Sequence, residues 1–169
     1  MRYVLATSVL TLGLMLLTVD ARALAKEEDV PLDQVPKVVL EAVKAKFPGA
    51  KLTEAAKETE DGKTTYEIGL EHKGQEYSVS LTAAGKITEI EREIEIKELP
   101  KAVSDAIKKK YPKGKMEKAE EVTAGGKTTY EVVVEASDDK DVEVTVDASG
   151  KILKEEAEEE EDDEDDDDK

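Results

Sequence analysis

Apolar residues recur at helical spacing twice along this chain, and the second stretch reproduces the first. Val35, Val38, Val39, Ala42, Val43 and Phe47 fall on one face between Pro36 and Pro48. Leu99, Ala102, Val103, Ala106, Ile107 and Tyr111 do the same between Pro100 and Pro112. A proline is tolerated in the first turn of a helix and breaks its interior, so each pair of prolines frames one helix, expected over about 35–46 in the first copy. Lys44 and Lys46 fall in the last turn, where cations complement the helix dipole. Both helices carry an apolar stripe and must dock on something.

Beyond each helix the hydrophobic period changes from about 3.6 to about two. After a weakly patterned strand over about 51–60, Asp61-Gly62 signals a hairpin, and Tyr66, Ile68 and Leu70 alternate with Glu67, Gly69 and Glu71. His72-Lys73-Gly74 turns the chain into 75–82, where Tyr77, Val79 and Leu81 point one way; Ala83-Ala84-Gly85 then opens a strand over about 86–96. The second copy places strands at about 115–123, 127–135, 141–147 and 151–154. Its Lys127-Thr128-Thr129-Tyr130-Glu131 repeats Lys63-Thr64-Thr65-Tyr66-Glu67 residue for residue. The offset between copies is 64 from Pro36/Pro100 through Tyr66/Tyr130 and 65 at Gly85/Gly150. One residue has therefore been added near Ser137–Lys140, in a turn, where insertions are tolerated. The expected fold class is α+β: tandem units, each one helix plus a four-stranded antiparallel sheet. A unit of that size is marginal alone, and these hold few aromatics, so the two copies are expected to pack on each other or to extend one sheet.

The ends of the chain read differently. Arg2, an apolar run from Val4 to Val19 and Ala23-Leu24-Ala25 form the pattern of an export signal cleaved after Ala25. The run is shorter than the roughly 20 residues that a spanning helix needs. The organisation expected is a signal peptide at 1–25, a flexible leader at 26–34, unit 1 at 35–96, unit 2 at 97–154, and a disordered polyacidic tail at 155–169. From Glu155 to Asp168 every residue but Ala157 is acidic, so with Lys169 the tail carries −12 of the chain's net −17. Such a run cannot bury apolar surface and extends by self-repulsion.

Composition narrows the function. The chain of 169 residues has no cysteine and one histidine, which excludes a disulfide framework, a thiol nucleophile, a thiolate or multi-histidine metal site and a lipid-anchored lipoprotein. The pI near 4.5 argues against nucleic acid as a partner. The expected location is periplasmic or extracellular, with no stable membrane insertion after signal cleavage.

The order Leu99-Pro100, helix, Tyr111-Pro112, a Tyr130-centred strand, a short strand and a final Gly150-Lys151, present in both copies, resembles the PepSY-like, beta-lactamase-inhibitor-like family of exported bacterial proteins. That resemblance implies a helix packed on an antiparallel sheet in each unit and a non-enzymatic role, binding or inhibiting other envelope proteins. It supplies no catalytic residues. The acidic tail and the scarcity of aromatics depart from an inhibitor whose binding face is anchored by aromatic side chains.

Candidate chemistry is sparse. His72, in a predicted turn with no identifiable orienting partner, reads as a solvated turn residue. Glu89, Glu91, Glu93 and Glu95 alternate on one strand and Glu117, Glu120 and Glu121 crowd another, a pattern that marks a wet sheet face. Asp138, Asp139, Asp141 and Asp147 lack the spacing of a calcium loop. Catalytic and cofactor-binding residues are expected to be none. The metal candidates are the weak ones of the tail, Glu158, Glu159, Glu160, Glu161, Asp162, Asp163, Glu164, Asp165, Asp166, Asp167 and Asp168, which attract divalent cations such as Ca2+ by charge alone. Lys108, Lys109, Lys110, Lys113 and Lys115 form the one basic cluster after the signal, a helix end onto which the tail could fold. The function expected is an exported, non-enzymatic binding or regulatory module acting on an unknown envelope protein. The alternative is a divalent-cation-binding envelope protein acting through its tail.

Overall fold

The computed structural model of the chain describes residues 26–60, 62–136 and 141–157. Nine strands form one antiparallel sheet in sequence order: β1 (Lys26–Asp29), β2 (Lys51–Glu60), β3 (Lys63–His72), β4 (Gln75–Thr82), β5 (Ile87–Glu93), β6 (Lys115–Ala124), β7 (Lys127–Glu135), β8 (Asp141–Asp147) and β9 (Ile152–Ala157). Two helices interrupt it, α1 (Lys37–Lys46) between β1 and β2 and α2 (Lys101–Lys110) between β5 and β6. The two four-stranded sheets expected from the repeat are thus one sheet. Its continuity rests on β5 pairing with β6 in a register running from Glu89↔Ala124 to Glu93↔Glu120.

Register also decides where the helices lie. Tyr66, Ile68 and Leu70 stand opposite Leu81, Val79 and Tyr77, and Val79 stands opposite Ile90, so these share one face. Across β5 and β6, Arg92 stands opposite Glu121, which stands opposite Tyr130 on β7. The face that carries Ile68 is therefore the face that carries Tyr130, Val132 and Val134. Both helices cover that one face. Val39, Val43 and Phe47 pack with Ala55, Ile68, Leu70, Val79 and Leu81, and Val103 and Ile107 with Ala119, Tyr130, Val132, Val134, Val144 and Val146. Between the two clusters Arg92 reaches Glu121 at 3.4 Å, a charge pair made directly across the strand junction.

Several boundaries move for identifiable reasons. The expected leader forms β1 against β2 and a 3-10 turn at Leu32–Gln34, with Val30 and Leu32 packed at the rim of the first core. β5 ends at Glu93 rather than near Ile96, because Ile94 turns into the second core and Glu95 and Glu98 cap a 3-10 turn reciprocally. Residues 155–157, expected in the tail, complete β9. Val38 belongs to the predicted apolar stripe yet is 46% exposed.

Val38 has a different task, and it explains the Gly-Lys at the end of each repeat. Gly85 and Gly150, in the turns before β5 and β9, sit beneath the first turn of α1 and α2 with φ of +78° and +87°. A Cβ on Gly85 would meet the Val38 carbonyl oxygen at 2.8 Å, and one on Gly150 the Ala102 carbonyl oxygen at 2.5 Å. Both the backbone conformation and the approach of the helix demand glycine there. Gly125 has a similar φ of +57° with nothing within 4 Å of a Cβ. Gly150→Ala is expected to lower stability by about 3 kcal/mol and Gly125→Ala by about 1 kcal/mol, the second value being the left-handed strain alone. Urea unfolding of the two variants measures the difference; equal losses would remove the role given to the helix.

Candidate interaction surface

With both helices on one face, the alternate residues of every strand line the other, which no element among the described residues covers. At its centre stand Glu67 on β3, Glu89, Glu91 and Glu93 on β5, Glu120 on β6 and Glu131 on β7. Register puts Glu93 opposite Glu120, and Glu120 opposite Glu131. Like charges directly across a ladder oppose each other. They are also not a simple wet face: Glu89 is 7% and Glu131 6% exposed, which corrects the expectation for the β5 carboxylates. Glu95 and Glu117 lie apart from the group. Glu95 caps the turn before α2, and Glu117 pairs with Lys115 at 2.6 Å. Glu121 is on the helix side with Arg92.

The face satisfies this charge in three ways. The Ser78 hydroxyl donates to Glu67 Oε1 at 2.7 Å, and Lys118 Nζ lies 3.1 Å from Glu120 Oε1. Glu89 and Glu91 are hydrogen-bonded to each other, which requires a proton between them. Burial, followed by the charges of Glu120, Glu89, Glu131 and Glu67, pushes the Glu91 carboxyl up to about 9. Burial also raises Glu89, against the hydrogen bond from Glu91, which lowers it. Burial disfavours the charge of Lys118, but Glu120, Glu93 and Glu91 around it outweigh that and hold it above the usual lysine value. Toward β2 the group extends to Glu54, which lies over Gly69 and is raised by burial, then by Asp29, Glu67 and Glu76. The result is a sheet surface of stored negative charge, suited to a cationic ligand or partner.

The other predicted site residues do not join it. His72 is the last residue of β3, half-buried, with its ring 5.7 Å from Phe47 and 6.5 Å from Tyr77; it is part of a small aromatic cluster, not a solvated turn. Asp147 accepts from the Ser149 and Lys151 amides and the Ser149 hydroxyl, closing the turn before β9. Asp141 opens β8. Asp138 and Asp139, the signal at 1–25, and Glu158 to Asp168 lie outside the described residues. Among the described residues no group of three or more His, Cys, Asp or Glu could hold a metal ion, and no helix is long and apolar enough to cross a membrane.

Glu67 and Glu131 were missed as site residues, although the repeat marks them: each comes directly after the tyrosine of the Lys-Thr-Thr-Tyr-Glu motif. Two helices on one face of a nine-stranded antiparallel sheet make the mixed fold to which the sequence likeness pointed. Residues 22–89 and 75–154 both match the family model "Putative beta-lactamase-inhibitor-like, PepSY-like". The chain belongs to this PepSY-like family. The two overlapping matches are consistent with two copies of its repeat. Among solved structures, a protein of Bacteroides eggerthii described as one of its "putative periplasmic proteins" superposes with a TM-score of 0.63 at 16% identity, over 73% of this chain and 88% of that one. A DUF2874 family protein of Bacteroides uniformis gives 0.63 at 16% identity over 72% and 88%, and a BLIP-like protein of Bacteroides fragilis 0.58 at 22% over 72% and 85%. At these identities the likeness is one of fold. No curated protein matches the chain in sequence.

The Glu91 environment makes stability depend on pH with a defined sign. An unfolded glutamate loses its proton near 4.5, whereas folded Glu91 keeps it to about 9. Between those values the folded chain holds a proton that the unfolded chain lacks, so this group's contribution to stability falls as pH rises. Glu91→Gln, which cannot ionise, is expected to melt several degrees above the parent at pH 8.5 and within a degree or two of it at pH 5. Parallel melting curves across that range would contradict the assignment.

Proposed function

We propose that this PepSY-like protein is an exported, non-enzymatic binding module of the bacterial envelope, and that it docks a basic surface of a partner protein on the open face of its sheet. The observation that carries this reading is the one-sided cover: α1 and α2 both lie on the face of Ile68 and Val132, and among the described residues no element lies over the carboxylates of β3 to β7. The family and the periplasmic neighbour support the setting, and the BLIP-like neighbour shares the fold. Charge of one sign on a broad surface accelerates encounter with an oppositely charged partner and selects against acidic ones. Lysine or arginine side chains arriving at this face would replace the shared protons as counter-charges for the carboxylates.

Exposed carboxylates of the face test the reading while the buried Glu89 and Glu131 stay in place. Glu76→Lys with Glu93→Lys reverses charge on the open face, while Glu41→Lys with Asp105→Lys makes the same net change on the helix side. A periplasmic protein that binds the parent chain at low salt is expected to bind the first variant at least tenfold more weakly, a loss of about 1.4 kcal/mol or more, and the second nearly as the parent does. Equal affinities for the two variants would overturn the assignment of the face. Circular dichroism melts establish that both variants fold.

A further inference from the structure

β1 and the turn that follows it repeat the geometry of β5 and the turn before α2. Asp29 stands opposite Ala56 as Glu93 stands opposite Glu120, and the Val30 amide donates to the Ala55 carbonyl at 2.9 Å as the Ile94 amide donates to that of Ala119 at 3.0 Å. β2 and β6 also bulge at the same place, the register skipping Thr53 between Leu52 and Glu54, and Glu117 between Met116 and Lys118. A bulge re-aims the side chains beside it. The two copies can therefore be compared position by position, and one position is reversed in charge: Glu54 stands where the second copy has Lys118.

In the second copy this place holds its own cation. Lys118 Nζ lies 3.1 Å from Glu120 Oε1, and the charges of Glu93 and Glu91 add to the hold on it. In the first copy Asp29 and Glu67 keep the places of Glu93 and Glu131, but the lysine is gone. Glu54 lies instead over Gly69, and burial, then Asp29, Glu67 and Glu76, raises its carboxyl. Among the described residues neither Asp29 nor Glu54 has an ion pair. Beside them a cleft of about 450 Å³ opens between the turn after β1 and the bulge of β2. Asp29, Thr53 and Glu54 present oxygen atoms to it, and Val30, Pro31, Leu32 and Ala55 form its apolar wall. No three acidic side chains among the described residues could hold a metal ion, so the cation that fits is an organic one. An apolar wall ending in two carboxylates suits a group that is aliphatic along its length and cationic at its tip.

We infer that this cleft binds a lysine side chain of the partner protein, its methylenes along Val30, Pro31 and Leu32 and its ammonium between Asp29 and Glu54, in the place that Lys118 fills from within in the second copy. Because Lys118 closes the matching place, the partner has one such anchor rather than two. The inference rests on the reading of the carboxylate face for the nature of the partner and adds the group that anchors it. The selectivity of the cleft for an ammonium is measurable without that partner.

The probe is Nα-acetyl-L-lysine N-methylamide, added to the isotope-labelled full chain at near-physiological salt. It is expected to shift the amide resonances of residues 29–32 and 53–55 along a saturating curve and to leave those of residues 93–96 and 117–119 unmoved. The norleucine derivative, which lacks the ammonium, and the trimethyl-lysine derivative, which keeps the charge but has no N–H to donate, are expected to bind about tenfold more weakly or worse. Glu54→Gln should weaken the lysine probe by about the same factor. Glu54→Lys, which supplies an ammonium from within as the second copy does, should abolish its shifts. Shifts that fail to saturate, that appear alike in both copies, that the trimethyl derivative reproduces, or that survive Glu54→Lys would overturn the site. If the probe binds as expected while a partner is insensitive to Glu76→Lys with Glu93→Lys, the site stands and the reading of the face falls.

Discussion

The rest of the molecule depends on the pairing of β5 with β6. Each helix with its four following strands can bury only a small core, built from valine, isoleucine and leucine with a few aromatic rings. Joining the halves through a ladder satisfies the backbone groups of two edges that would otherwise face water. It also commits the chain to a geometry: antiparallel registry from Glu89 to Glu93 carries the parity of one half into the other, and both helices are forced onto the same side. Packing across the junction is slight. Ile94 crosses into the second core, and Arg92 with Glu121 fills the space between the cores with a half-buried ion pair.

The same parity concentrates charge on the other side. If β5 paired one residue out of step, Glu89, Glu91 and Glu93 would turn toward the helices, where burial without partners would cost far more. In the register adopted they share the open face with Glu120 and Glu131, and a proton held between Glu89 and Glu91 relieves part of the repulsion. A sheet optimised only for stability would place Thr, Ser or Lys at these positions, as the chain does at Ser78, Ser80 and Thr145 on the same face. Local rules are broken most often where a surface has a function.

Most of the architecture was legible because the signals were local. The prolines framed α1 and α2, the Tyr66 and Tyr130 strands alternated cleanly, and the repeated Gly85 and Gly150 marked turns whose helix contact supplies the reason for the repetition. The family likeness rested on the same residues. The illegible part depended on pairing between distant segments. Periodicity cannot say that β5 takes β6 as its neighbour, so the β5 glutamates read as a solvated row and the burial of Glu89 and Glu131 went unseen. β1 was missed because Lys26–Asp29 has no apolar alternation; backbone pairing with β2 makes it a strand. His72 read as a turn residue because Gly74 stands two positions later, yet its ring finds Phe47 and Tyr77 across the sheet surface.

Duplication supplies a comparison that a single unit would not. Two copies that began alike share the positions the fold requires, such as the prolines, the motif tyrosines and the glycines under the helices, so differences between them are free of that constraint. Phe47 and Tyr111 fill the same place at the end of their helices and differ by a hydroxyl, and that hydroxyl is the atom that donates to Glu155. Ile90 packs at the rim of the first core where Glu155 instead turns to Lys110. The second copy has exchanged apolar contact for a polar anchor at the point where the acidic segment begins. An exposed ion pair alone contributes little to stability, so the exchange alters the chemistry of this corner of the sheet more than the firmness with which it is held.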